Sequence, residues 1–314
     1  MQKIYYGAPG TGKSYTIDNT VINTINDDHV FRVTFYPDFS YNDFIGQLLP
    51  KVVPSNIPGN GNTITYDFHK GVFTLALEKA YENTANDVFL IIEEMSRGDC
   101  AAIFGDIFQL LDRENSGVNK GYSRYFIDNE LISKDIIALQ NDNKVKLPPN
   151  FHILGTVNTS DQNVYVMDTA FKRRFEWEYI SPNPIVSSPA GVTPVTYKNN
   201  VDLEINNGTA NIVVEWVKLY QTLNTFIADD RYLGLGEDKQ IGPFFIDFDL
   251  AASNIEHMNQ IKNKLLHYLW SDVHKASIKR DIRLFKDTIG TFSELYSSFE
   301  NRNQVFSQEF LALL

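Results

Sequence analysis

The chain has 314 residues, 43% of them hydrophobic and 21% charged, an ordinary globular composition with room for about two domains. Its net charge of −11 argues against a surface coated in positive charge for tight non-specific nucleic-acid binding. One cysteine, Cys100, rules out an internal disulfide and a cysteine-rich zinc cage. No apolar run reaches the roughly 18 residues of a spanning helix, and Gly7, Pro9 and Gly10 interrupt any signal-peptide core. The expectation is a cytoplasmic protein with no membrane partner.

In chain order, Lys3-Ile4-Tyr5-Tyr6 reads as a short buried strand, followed at once by a glycine-rich turn and a helix over 13–26. A central strand that starts this early suggests that upstream residues have been removed, with a short native N-terminus as the alternative. Val30 to Phe35 reads as a strand, and Phe39 to Leu49 has helical spacing. Residues 50–68, with three prolines and two glycines, read as a loop or hairpin insertion. Val72, Leu75, Ala76, Lys79 and Ala80 suit a helix. Val88-Phe89-Leu90-Ile91-Ile92 is a continuous apolar run, as in a parallel strand buried on both faces. Ile103, Ile107, Leu110 and Leu111 predict a helix, and 113–146 reads as a second, irregular insertion. Phe151 to Val157 is another buried strand, with a short helix near 166–173 and a last strand at Phe175 to Tyr179.

Strands that alternate with helices imply a parallel sheet with right-handed crossovers. Beyond Pro182 the texture changes. Residues 181–211 read as a linker with a hairpin, and 212–228, 254–270 and 272–289 as helices, with one or two more in the tail. The expected organisation is therefore an α/β nucleotide-binding core over 1–180 and a smaller, mostly helical lid over 181–314.

The chemistry is concentrated in a few short stretches. Gly7-Ala8-Pro9-Gly10-Thr11-Gly12-Lys13-Ser14 matches G-x-x-x-x-G-K-[ST] between a strand and a helix, the context in which that motif wraps phosphates with backbone N–H groups. Lys13 can reach the β- and γ-phosphates, the Ser14 hydroxyl can ligate Mg²⁺, and Tyr15 continues the candidate nucleotide-binding stretch. Glu93 and Glu94 end the buried strand; Glu93 is assigned to the metal and Glu94 to activation of the attacking water. P-loop enzymes usually carry Asp at the first of these positions. Asn158 follows the next buried strand and can position that water or the γ-phosphate, while Asp161 could orient a neighbour or a partner residue. Lys172-Arg173-Arg174 places two arginines where one could serve a neighbouring copy's site in trans. The triplets Asp142-x-Lys144 and Glu237-x-Lys239 resemble half of a nuclease metal motif but read as loop charges.

The order of these stretches resembles the AAA+ superfamily. Ile92-Glu93-Glu94-Met95-Ser96-Arg97-Gly98, Ile103 to Leu111, Gly155 to Asp161 and Met167 to Phe175 resemble the McrB-type restriction motors, and Gln240-Ile241-Gly242-Pro243-Phe244-Phe245 resembles a loop in that family's second domain. Gln162-Asn163 and Asp168-Thr169-Ala170-Phe171 are closer to the LlaJI-type systems. The resemblance implies a GTP-preferring, Mg²⁺-dependent AAA+ motor, with ATP as the alternative nucleotide. It also implies a hexameric ring, a separate McrC-like nuclease subunit, and DNA recognition through an N-terminal domain that this chain lacks or through the partner. The sequence departs from the family pattern at Glu93 (usually Asp), Ser96 (often Asn) and Gln162 (Arg in many members). Two other readings are an AAA+ ATPase of the MoxR and dynein-related branches that remodels proteins, and a regulatory module that binds nucleotide but hydrolyses it poorly.

Overall fold

In a computed structural model, residues 1–54, 62–140, 143–160, 165–189, 191–277 and 281–314 are described. The strands in chain order are β1 (Gln2–Gly7), β2 (Val30–Thr34), β3 (Gly46–Pro54), β4 (Asn62–Lys70), β5 (Val88–Glu93), β6 (Ile127–Asp128), β7 (Lys144–Val145), β8 (Phe151–Asn158), β9 (Glu176–Tyr179), β10 (Asp202–Asn206) and β11 (Asn211–Glu215). Five of them form a central parallel sheet in the order β2-β5-β8-β1-β9, so the fold is α/β as expected. β5 pairs in parallel with β2 on one side and β8 on the other, with Thr34 opposite Glu93 and Ile92 opposite Gly155. Its five apolar residues are all buried because it lies inside the sheet.

The described residues form two compact units. One holds 1–6, 14–157 and 161–178; the other holds 7–13, 158–160 and 179–314. In the first, the core packs Phe35, Phe44, Phe73, Phe104, Phe151 and Phe171 against the sheet, and edge-to-face contacts link Phe73 to Phe151 and Phe104 to Phe171. The second has its own core, around Trp216, Tyr220, Phe226, Leu265, Phe285 and Phe306.

Several elements differ from the sequence expectation. The helix after β1 ends at Val21 rather than at residue 26. A β-branched and asparagine-rich stretch follows it, and the Asn19 and Thr20 side chains already bond back to the Tyr15 and Thr16 carbonyls. Only Tyr41–Ile45 of the span 39–49 is helical, started by a capping box of Ser40 and Asp43. Gly46, at φ +130°, then turns the chain into the β3–β4 hairpin, which accounts for the described part of the expected insertion at 50–68. The helix over 103–111 is a short α-helix, Cys100–Phe104, followed by a 3₁₀ stretch to Leu111. The insertion at 113–146 is not irregular: it carries β6, β7 and the helix Glu130–Asp135, and it buries Ile127, Ile132, Leu139 and Val145.

Residues 212–215 belong to β11, so the next helix begins at Trp216. Residues 254–274 form a single helical run, and the described residues of 275–289 lie outside any helix. Two tail helices are present, Phe292–Glu300 and Gln308–Leu311. No described helix is long and apolar enough to cross a membrane.

Arg113 ties the second insertion to the sheet. Its guanidinium donates to the Gln2 side chain and to the carbonyls of Gly121, Leu147, Pro148 and Phe151, at 2.8–3.1 Å. Desolvation pulls its pKa down to about 10, which leaves it charged at neutral pH. Arg113→Ala strands these acceptors. Urea unfolding should show a loss of about 3 kcal/mol, and a loss under about 1 kcal/mol would show that water replaces the guanidinium.

Candidate functional site

The turn after β1 is shaped by backbone contacts. Gly10 has φ +76°, and a Cβ there would lie 2.2 Å from the Phe245 amide nitrogen. The Gly242 amide donates to the Pro9 carbonyl (2.9 Å) and the Phe244 amide to the Gly10 carbonyl (2.8 Å). Two backbones thus run against each other, and a Cβ on Gly242 would fall 2.3 Å from the Gly10 oxygen. The resemblance of residues 240–245 to a family loop here acquires a physical contact. Gly7, Ala8, Gly12 and Thr11 complete the turn, with Thr11 Oγ1 donating to the Ala8 carbonyl. The Lys13 ammonium is buried and donates to the Gly7 and Ala8 carbonyls at 3.0 and 2.9 Å. The Thr159 amide donates to Gly7 O, which ties the segment following Asn158 to the start of the turn. Tyr15 is exposed.

A second cluster forms at the ends of β5 and β8. Ser14 Oγ donates to Glu93 Oε2 at 3.0 Å, and Thr156 Oγ1 donates to the same oxygen at 2.5 Å. Arg32, from β2, donates to Glu93 Oε1 and also pairs with Asp18. The Glu94 amide donates to Thr156 Oγ1 at 3.1 Å, so one buried hydroxyl links both acids. Glu94 is left-handed, at φ +53°, a conformation that costs a non-glycine residue about 1–2 kcal/mol and that is characteristic of sites where a side chain must be aimed. Its carboxylate lies 3.4 Å from Arg97 Nε.

The structure therefore brings Ser14 and Glu93 together, with Glu94 next in the chain. A hydroxyl and one carboxylate are hard oxygen donors of the number that a Mg²⁺ site sharing substrate phosphates uses. The described residues hold no group of three or more His, Cys, Asp or Glu side chains that could cage a metal by themselves.

The two arginines differ sharply. Arg174 is held within its own subunit: it pairs with Asp112 at 2.7 Å, donates to the Ala170 carbonyl and lies over the Phe108 ring at 4.0 Å. Arg173 is exposed, and its side chain has no partner among the described residues. Asp161, Gln162, Asn163 and Asp142 lie outside the described residues. Sequence reasoning passed over Thr156 and Arg32. The signals were a threonine inside a quoted motif, one place past the register partner of Ile92, and a lone charge in the apolar strand Val30–Thr34. Cys100 is buried, and its thiol is pushed up to about 12 by burial, as expected for a structural cysteine.

A P-loop turn between β1 and a helix, a buried strand ending in two acids and this sheet order define an AAA-type nucleoside triphosphatase. Residues 4–175 match the AAA domain of the dynein-related subfamily, and the chain belongs to that family. It is 35% identical to the type II restriction enzyme BsuMI component YdiS of Bacillus subtilis (strain 168), over 97% of this chain and 87% of that one. It is 25% identical to the type IV methyl-directed restriction enzyme EcoKMcrB subunit of Escherichia coli (strain K12), over 57% of this chain and 35% of that one. Within the AAA family it is an McrB-like AAA+ motor, related to components of restriction enzymes.

Thr156→Val removes the hydroxyl that serves both acids. Thermal and urea denaturation should show a loss of about 1–2 kcal/mol, with Thr156→Ser restoring most of it. A loss in Thr156→Ser with little or none in Thr156→Val would mean that the methyl group, not the hydroxyl, matters at this position.

Proposed function

We propose that the chain is a Mg²⁺-dependent nucleoside triphosphatase that takes GTP in preference to ATP and works as the motor subunit of a DNA restriction complex with a separate nuclease subunit. The observation that carries the hydrolytic reading is the cluster of Ser14, Glu93, Thr156 and a left-handed Glu94. The 35% identity to a restriction-enzyme component along nearly the whole chain supports restriction over protein remodelling. GTP preference and the nuclease partner rest on the family resemblance.

In this reading the amides of Gly7 to Ser14 wrap the phosphates and the Lys13 ammonium pairs with the β- and γ-phosphates. Ser14 and Glu93 hold the metal, which when bound neutralises charge on the β- and γ-phosphate oxygens. Glu94 takes a proton from the attacking water, and Asn158 orients that water. Arg173 serves the site of a neighbouring copy in a ring, most simply a hexamer, since Arg174 is occupied at home.

Calorimetry with both nucleotides should give several-fold tighter binding of GTP in the presence of Mg²⁺; equal or reversed affinities would remove the GTP assignment. On the same protein, Glu94→Gln should bind nucleotide normally and turn over about 100-fold more slowly. Wild-type turnover by Glu94→Gln beside a dead Glu93→Gln would exchange the two roles.

The trans assignment has its own test. Arg173→Ala should bind nucleotide almost normally and lose hydrolysis by about 10³-fold, the scale of an arginine finger. Mixing it with Glu94→Gln creates interfaces with an intact Glu94 facing an intact Arg173, so activity should partly return. No recovery from two variants that both assemble would assign Arg173 to its own subunit.

A further inference from the structure

Glu93 is shared between two kinds of partner. One oxygen, Oε2, accepts from Ser14 and Thr156; the other, Oε1, is bound by the guanidinium of Arg32. Arg32 also pairs with Asp18, on the helical stretch that follows Ser14. The Glu93 side chain is 15% exposed, whereas those of Arg32 and Asp18 are 36% and 46% exposed. A side-chain cation thus sits on the carboxylate assigned to the metal, and an exposed carboxylate on the far side competes for that cation.

We propose that Arg32 is a positioning residue that sets the metal requirement of the nucleotide site by acting as Glu93's internal counter-ion. This rests on the proposed nucleotide site. A guanidinium in contact with Glu93 cancels part of the charge that would attract Mg²⁺, so the metal must compete with it for the carboxylate. Asp18 weakens that competition by drawing Arg32 outward and by adding a negative charge nearby. The two partners therefore push the metal requirement in opposite directions, which a purely structural ion pair would not do.

The test is a Mg²⁺ titration at a fixed concentration of a fluorescent GTP analogue, read by anisotropy, on the full chain. Arg32→Gln should lower the Mg²⁺ concentration at half-maximal binding by about two- to fivefold, and Asp18→Asn should raise it by a similar factor, the scale of a partly exposed ion pair. Circular dichroism checks that each variant is folded. If Arg32→Gln fails to fold, the Asp18→Asn shift decides alone, since Asp18 is a largely exposed residue. Midpoints that stay at the wild-type value, or move together in one direction, overturn the proposal. A wild-type chain that binds the analogue at no Mg²⁺ concentration would instead sink the nucleotide-site reading itself.

Discussion

The carboxylate of Glu93 is the constraint around which the ends of the central strands are organised. It stands at the end of a strand whose five preceding residues are buried, and its own side chain is nearly so. A charge in such a place is tolerable only when paired and hydrogen-bonded. Its donors come from three separate segments: Arg32 on β2, Ser14 at the start of the first helix and Thr156 on β8. Each donor fixes a neighbouring element. The parallel registers that set Thr34 opposite Glu93 and Ile92 opposite Gly155 are the ones that deliver these groups to a single carboxylate. Moving β8 along β5 by one residue would turn Thr156 to the other face of the sheet.

The turn Gly7–Lys13 obeys a different rule. Where Glu93 is surrounded by side chains, Gly10 and Gly242 meet as bare backbone, with no room for a Cβ on either. Two amide-to-carbonyl bonds hold Pro9 and Gly10 against the loop 242–244. Peptide groups keep their geometry through changes of charge and rotamer, so this contact fixes the carbonyl side of the turn. Lys13 contributes to the same rigidity by bonding two carbonyls of its own loop.

Much of this was legible in the sequence because it depends on local rules. A buried parallel strand leaves a continuous apolar run, and a phosphate-binding turn leaves its glycines at fixed spacing, so β1, β5, β8 and the turn after β1 could be read directly. The span 39–49 failed because Leu48 and Leu49 satisfy helical and strand patterns alike, and only the capping box and Gly46 show where the helix ends. The described residues of 275–289 failed for a related reason. Apolar residues at helical spacing there pack instead around the bridge between Phe285 and Phe306, a partner 21 residues further along the chain. Arg32 and Thr156 were missed because their importance lies in register across the sheet, which one strand's sequence does not contain.

The longer acid and the arginine are best understood as parts of one arrangement. An aspartate at position 93 would withdraw the carboxyl group by one carbon–carbon bond, about 1.5 Å. From there it could not keep Oε2-type contacts with both Ser14 and Thr156 while also meeting a guanidinium on the edge strand, given that the present contacts to Ser14 and Thr156 are 3.0 and 2.5 Å. The extra methylene lets one carboxylate span from the β8 side to the β2 side. Once it does so, an uncharged residue at position 32 would leave the outer oxygen turned toward a strand with nothing to offer it. Glu93 in place of the usual aspartate and Arg32 in an otherwise uncharged strand therefore account for each other, and the site's charge balance is set as much by the edge of the sheet as by the phosphate-binding turn.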